Sequence, residues 1–441
     1  MLTAGFAQLD ITPPAGGNMP GYFVARVAGE EVNSRLTVTA AAFSAEGGDV
    51  IFVSADVLAF TAQNVQAMRA RIADKTGVAP SHILIAATHT HTGPAMDVPV
   101  YLCPPDEKTS AHTAACVEKA AVEAFSARRP AELGVTHFEE DRFSFNRDIV
   151  MRDGSIKMNP SRAKSLDDMV KWAGKVDYSV DVMRVEDETG RVAAFLVNYA
   201  NHPDCHRRDN RKYSADYIGF LRRALKEEYG EDVCVLFFNG TCGDVNCIDY
   251  MHGESDWYYL ENQAPQIIGA ELAKDIIARS GEFVMQGEEP VIAVRNATFT
   301  TSRRRVSQAE REWAVEVQKD PNAYPLSDQA FAAEYAAPDD APDTVEVEVQ
   351  LVRLGPWSIV ALPSEIFTEI GLIIKAASPY PRTLVFALAN GVHGYIAPRY
   401  RAERPCYELR LSRYTYTGPE TAEKLIETSA RLLREQFFGE Y

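Results

Sequence analysis

Apolar, β-branched runs that each end in a polar loop carrying Gly, Pro or Asn recur along the chain, and helical periodicity fills several of the intervals between them. Residues 49–56, Asp49-Val50-Ile51-Phe52-Val53-Ser54-Ala55-Asp56, predict a buried strand. Residues 61–76 predict a helix that stops at Gly77, with Pro80 beyond it. The next strand is expected over 82–87 and the next helix within 111–126. Further strands are expected over 192–199, 233–238, 357–362 and 383–388, and further helices over 216–229, 265–278, 364–377 and 420–437.

Strands that alternate with helices predict an α/β fold. The polar–apolar alternation of residues 344–352 reads as an antiparallel edge strand, so the expectation is a mixed β-sheet with flanking helices. Residues 302–343 are charged, with Ala-rich helical pieces and a Pro/Asp-rich end, and read as a helical surface insertion exposed to solvent.

Chemistry gathers where strands end, which is where α/β folds bind ligands. Thr88-His89-Thr90-His91-Thr92-Gly93-Pro94 follows the 82–87 strand, and Asn201-His202-Pro203 follows the 192–199 strand. Asn239 to Asn246, Pro363-Ser364-Glu365 and Asn390 to Tyr395 follow the other three. In an extended segment the two side chains of His-x-His point the same way, so both can face one ion. Singly, each signal has an ordinary reading as well. His202 before a proline fits a hydrogen-bonded loop residue, Glu365 after Ser364 fits a helix-dipole partner, and Tyr395 fits the core. Cys242 and Cys247 read as small loop residues, because no Cys-x-x-Cys pair accompanies them. The sequence contains no Gly-x-Ser-x-Gly elbow, His-Glu-x-x-His, P-loop or Gly-x-Gly-x-x-Gly fingerprint, which removes the usual support for serine hydrolases, zincins, NTPases and dinucleotide enzymes.

Composition narrows the partners. At 46% hydrophobic and 24% charged residues, the chain can bury a sizeable core. Its formal net charge of −17 repels phosphate backbones and anionic lipid, so nucleic acid and stable membrane association are not expected, and a small molecule is. The seven scattered cysteines read as reduced thiols. With no basic and apolar leader after Met1 and no apolar run near the roughly 20 residues of a membrane span, a cytoplasmic protein is expected.

The order of the motifs resembles neutral ceramidases. Thr88 to Pro94 is similar to their Thr-His-Thr-His-Ser-Gly-Pro signature, and Asn146-Arg147 with Asn159-Pro160 to their Asn-Arg…Asn-Pro element. Asn201-His202-Pro203 with Ser214-Ala215-Asp216-Tyr217, Gly243-Asp244-Val245, Pro363-Ser364-Glu365, Asn390 to Tyr395 and Tyr407-Glu408 follow in the family's order. The resemblance runs from Gly5 to about Tyr414 and implies the fold of the ceramidase catalytic domain. It implies one Zn²⁺ per chain on His89, His202, Glu365 and Tyr395, with His91 as proton carrier and Arg147 and Tyr407 as donors to the substrate oxygen. Asp216, Asp244, Asn246 and Asn390 fall to supporting or substrate-contacting roles.

Two departures shape the functional expectation. The family's Gly-Asp-Val-Ser-Pro-Asn is Gly243-Asp244-Val245-Asn246-Cys247-Ile248 here, so a serine nucleophile at that position is ruled out. The chain to Tyr441 leaves no room for the family's C-terminal immunoglobulin-like domain, and one domain over 1–441 is expected because the site residues run from His89 to Tyr407. The first expectation is a hydrolase of a linear amide in a small soluble substrate, not ceramide. A metal-dependent lyase or isomerase on a carbohydrate-like substrate is the rival, and a metabolite-binding protein with a vestigial site is the third reading.

Overall fold

The computed structural model describes residues 1–254, 256–285, 290–404 and 406–439. The contiguous apolar runs become strands buried on both faces, as in Ile83–Ala87, where every residue is buried. Three of the crossovers are parallel β-α-β units. Gly48–Ala55 and Ile83–Ala87 pair in parallel across the helix Ala62–Thr76. Val192–Tyr199 and Cys234–Asn239 do so across Asp216–Tyr229, and Trp357–Ala361 and Thr383–Phe386 across Thr368–Ala377. Thr61 caps the first of these helices by accepting from Asn64 N at 3.2 Å, and Gly77 ends it at φ 76°, where a β-carbon would be strained.

Antiparallel strands join the first two units into one nine-stranded sheet. Its order is Cys234–Asn239, Val192–Tyr199, Ser179–Asp187, Arg129–Glu139, Thr3–Asp10, Thr37–Ala45, Gly48–Ala55, Ile83–Ala87, with Val284–Met285 beside Arg129–Glu139. The third unit belongs to a separate four-stranded sheet, Ile292–Ser302, Thr344–Leu354, Trp357–Ala361, Thr383–Phe386. Helix pairs cover the outer faces, and the inner faces share one core around Phe43, Phe52, Leu236 and Trp357. There Phe238 stacks on Phe386 with ring centroids 4.4 Å apart, joining the two sheets.

The mixed sheet and flanking helices match the expectation, with four differences. Thr344–Leu354 is antiparallel but interior, because Ile292–Ser302 pairs with its other side from Ile292↔Leu354 to Ser302↔Thr344. The helix expected from 364 starts at Thr368, because Glu365-Ile366 pairs in parallel with Tyr395-Ile396. The strand Thr3–Asp10 carries no β-branched run, and Thr37–Ala45 carries one only in Thr37-Val38-Thr39, its Ala-rich remainder being a strand through burial between its neighbours. The segment 303–343 is helical (Gln308–Lys319 and Leu326–Ala336, the first opened by a Ser307/Glu310 capping box) but is not a solvated excursion: Ala314, Val317, Phe331 and Ala332 are buried.

Beneath the first strand ends lies a buried ion pair. Arg222 Nη1 and Nη2 donate to the two carboxylate oxygens of Asp56 at 2.6 and 2.9 Å, and Asp56 also accepts from Thr37 N and the Thr88 hydroxyl. No helix among the described residues is long and apolar enough to cross a membrane.

Arg222→Met leaves Asp56 charged and unpaired in the core, and should cost about 3–5 kcal/mol in chemical denaturation. A loss below about 1 kcal/mol would show that the pair is not structural. Just before the helix Thr421–Gly439, Glu420 Oε1 accepts from Ser302 N (2.8 Å), Ser302 Oγ (2.8 Å) and Thr301 Oγ1 (2.9 Å). Burial raises its pKa, but these hydrogen bonds outweigh burial and hold it at about 2, below the ordinary 4.5. The linkage therefore stabilises the fold above pH 4.5 and is lost as pH falls toward 2. The stability gap between wild type and Glu420→Gln should shrink steadily on acidification; a gap of constant size would contradict this.

Candidate functional site

The three parallel units point their carboxyl ends at one place, and backbone bonds fasten the ends together. Asn390 N donates to Ile85 O at 2.7 Å, Ala387 N to Asn239 O at 2.9 Å and Gly243 N to Ile366 O at 2.9 Å. Here Nε2 of His202 lies 3.1 Å from Nε2 of both His89 and His91, and the last two are 3.4 Å apart. Glu365 Oε2 stands 3.1 Å from His89 Nε2 and 3.6 Å from His202 Nε2. Glu365 and Tyr395 are register partners in the short parallel pair, which brings two residues thirty positions apart onto one edge.

All of these side chains are buried. His89 Nδ1 donates to Leu58 O at 2.7 Å and His202 Nδ1 to Cys242 O at 3.2 Å. A carbonyl only accepts, so His89 carries its proton on Nδ1, and so does His202 toward Cys242 O, a nearer partner than Arg147 Nη1 at 3.5 Å; both turn a bare Nε2 lone pair inward. Glu365 Oε2 is buried with no hydrogen-bond partner, while Tyr414 donates to its other oxygen at 2.8 Å. Lone pairs and a carboxylate oxygen thus converge with no proton between them. Their spacing fits a cation: metal–nitrogen bonds of about 2.0–2.1 Å in tetrahedral geometry separate donors by about 3.3 Å. Burial and the Glu365 charge push the Tyr395 phenol well up, so a phenolate there requires a positive charge among these donors.

His91 differs from the other two imidazoles. Its Nδ1 makes no hydrogen bond of normal geometry, although the Gly21 backbone lies against the ring. It also lines a cavity of about 230 Å³ that opens over the cluster. Burial first, then neighbouring positive charge, that of Arg26 and Arg147 included, pushes its pKa well below the usual imidazole value. Arg147 and Tyr407 line the same cavity. Arg147 Nε donates to Glu408 Oε1 at 2.8 Å, leaving Nη2 buried and unpartnered, and the Tyr407 and Tyr101 hydroxyls lie 2.7 Å apart. A second buried group, Asp148, Cys406 and Glu408, sits behind Arg147. Arg401 pairs with Asp148 and Arg147 with Glu408, so its charge is already balanced.

The structure gathers His89, His91, His202, Glu365, Tyr395, Arg147 and Tyr407; the other four residues lie outside the cavity lining. Asp216, with φ 55°, accepts from Cys205 N and Tyr217 N and so shapes the loop after His202. Asp244 accepts from Asn146 and from Thr368 N, tying its loop to a helix start. Asn246 accepts from the next residue's N–H at 2.6 Å, and Asn390 bridges Ile85 N and Gln350. Sequence reasoning missed Gly21, Tyr22 and Arg26, which follow no buried strand, and Tyr101, Asp204 and Tyr414. Gly21, with φ 102°, was findable: Pro20-Gly21-Tyr22 is a turn signal, and a β-carbon at Gly21 would lie 2.7 Å from the His91 ring.

Two solved structures share this fold. The neutral ceramidase from Pseudomonas aeruginosa superposes with a TM-score of 0.72 at 16% identity, over 97% of this chain and 73% of that one. A ceramidase complexed with C2 gives 0.74 at 17% identity, over 99% of this chain and 75% of that one. No curated protein matches the sequence. The family described as neutral/alkaline non-lysosomal ceramidase, N-terminal, matches residues 2–246, more than half of the 441. The chain therefore belongs to the neutral/alkaline non-lysosomal ceramidase family, a family of metal-dependent hydrolases.

Proposed function

We propose that this protein is a zinc-dependent hydrolase that cleaves a C–N bond, a linear amide in a small soluble molecule, with water as nucleophile. The observation that carries the reading is the contrast among the imidazoles. His89 and His202 are each fixed by a carbonyl on Nδ1, the arrangement of metal-ligating histidines, whereas His91 Nδ1 has no hydrogen bond of normal geometry, only the Gly21 backbone against it, and its ring lines the cavity. His89, His202, Glu365 and Tyr395 would hold the ion, a nitrogen and oxygen set suited to zinc. When bound, zinc supplies Lewis acidity and a water nucleophile that ionises near neutral pH.

The chain's own residues account for the remaining steps. Nε2 of His91 takes the proton from the attacking water as the C–O bond forms, and returns it to the leaving nitrogen as the C–N bond breaks. Arg147, turned by Glu408, donates its free Nη2 to the carbonyl oxygen, whose negative charge grows during attack, and the Tyr407 hydroxyl donates from the same cavity. Asn246 contributes no nucleophile. A cavity of about 230 Å³ is smaller than the roughly 300–1,000 Å³ of drug-sized sites, which supports a small substrate. The chain acts as one catalytic unit, since each parallel unit supplies part of the donor set. The seven free thiols support a reducing, cytoplasmic setting.

Metal analysis of protein stripped and reloaded with zinc should give one ion per chain, lost in His89→Ala and in Glu365→Gln. His91→Ala should keep the ion and lose about 10²–10⁴-fold in kcat against soluble N-acyl compounds. Stoichiometric metal in both ligand variants would overturn the donor set, and loss of metal in His91→Ala would make that residue a third imidazole ligand. Gly21→Ala drives a β-carbon into the His91 ring, so it should lower kcat with metal content unchanged; an unaltered kcat would mean the ring has room to move.

A further inference from the structure

The cavity over the donor cluster is basic in a protein with 62 acidic and 45 basic side chains. Arg26, Arg208 and Arg211 line it, and Asp204 is the one carboxylate among the described lining residues. The loop 207–212 sorts its cations: Arg207 pairs with Asp209 and Lys212 with Glu31, while Arg208 and Arg211 face the cavity with no ion-pair partner among the described residues. Arg26 is buried and stacks over Tyr22 at 4.2 Å, and Arg208 lies 5.8 Å from the centre of the same ring. The terminal nitrogens of Arg26 donate to the backbone carbonyls of His91 and Asn210, and its Nε is buried without a partner. Burying a guanidinium this way is costly without an anion nearby, and three arginines outnumber the single carboxylate.

The geometry points to a substrate that carries a carboxylate a few bonds from its scissile amide, as an N-acyl amino acid does, with the carboxylate held by Arg26, Arg208 and Arg211. Guanidinium forks match a carboxylate bidentately. At about 230 Å³, the cavity places the charged group close to the reacting carbon, because His91, Arg147 and the three arginines share its wall. Phe23, Val24 and Leu326 leave an apolar side for a short acyl chain. The scissile bond rests on the hydrolase reading above; the carboxylate grip does not.

Calorimetry with N-acetylglycine, its neutral analogue N-acetylglycinamide and inorganic phosphate separates the two. It is run on zinc-loaded protein and on protein stripped with a chelator. The carboxylate should bind at least about tenfold more tightly than the amide in both preparations, a difference of one charge-assisted contact. Arg208→Ala/Arg211→Ala should erase that preference, Arg208→Lys/Arg211→Lys should restore part of it, and Arg207→Ala should leave it intact. Equal affinities, a preference seen only with zinc, tight binding of phosphate without the carboxylate, or a preference that survives the double alanine variant would each overturn the proposal. Selective binding without turnover would leave the grip standing and sink the hydrolase reading instead.

Discussion

Two imidazole nitrogens and a carboxylate oxygen within 3.1–3.6 Å of one another, with the His91 nitrogen 3.1 and 3.4 Å from the two imidazoles, all shut away from water, are the arrangement on which the rest of this structure depends. Such groups repel when their lone pairs face each other, and between His89, His202 and Glu365 no proton relieves it. The surrounding architecture resists the natural escape, which is for a ring to turn away. Carbonyls of Leu58 and Cys242 grip two rings from behind, Gly21 closes over the third, and Tyr414 holds the carboxylate. The arginines nearby are either paired with carboxylates, as Arg147, Arg222 and Arg401 are, or turned to the cavity.

Holding the cluster requires local strain in the backbone. His89, Asp216, Leu388 and Asn390 all have positive φ, between 54° and 72°, and all lie just beyond the strand ends or at the helix start beside them. Residues other than glycine held there cost on the order of 1–3 kcal/mol each, and they persist where neighbours over-determine them. The bonds between strand ends supply that over-determination: Leu388 O accepts from Ala87 N, and Asn390 is bonded to Ile85 through both backbone and side chain.

The parallel units were legible in the sequence because a strand buried on both faces is a contiguous apolar run that stops at a polar loop, and Gly77 marks the end of the first crossover helix. The same runs led to the loops that carry His89, His202, Glu365 and Tyr395, and the order of the motifs joined them into one site. The antiparallel strands were harder, because Thr37–Ala45 is rich in alanine and owes its extended form to neighbours that a local window does not contain. The cavity mouth was invisible for a related reason. Tyr22, Arg26 and Arg208 stand on irregular segments, and their meeting around one ring is a product of tertiary structure alone. Glu365 was found for its motif while its setting was misread, since a helix was expected where it forms a two-residue parallel pair with Tyr395.

The helical pair 308–336 hangs between strands closed by the Ser302↔Thr344 register, and its Leu326 reaches the cavity wall beside Phe23. That separates two properties which usually constrain each other. Residues of the donor cluster come from the strand ends, whereas one wall of the chamber comes from an element that leaves and rejoins the sheet at one hairpin and packs on the site through Phe331 against Tyr407 and Glu334 against Arg413. Lengthening, shortening or exchanging that element alters the chamber without shifting any strand register. A lineage built on this scaffold can therefore diversify what it admits while the donor cluster stays fixed, and an engineer wishing to enlarge the chamber would begin at Leu326 and keep Phe331, whose ring supports Tyr407.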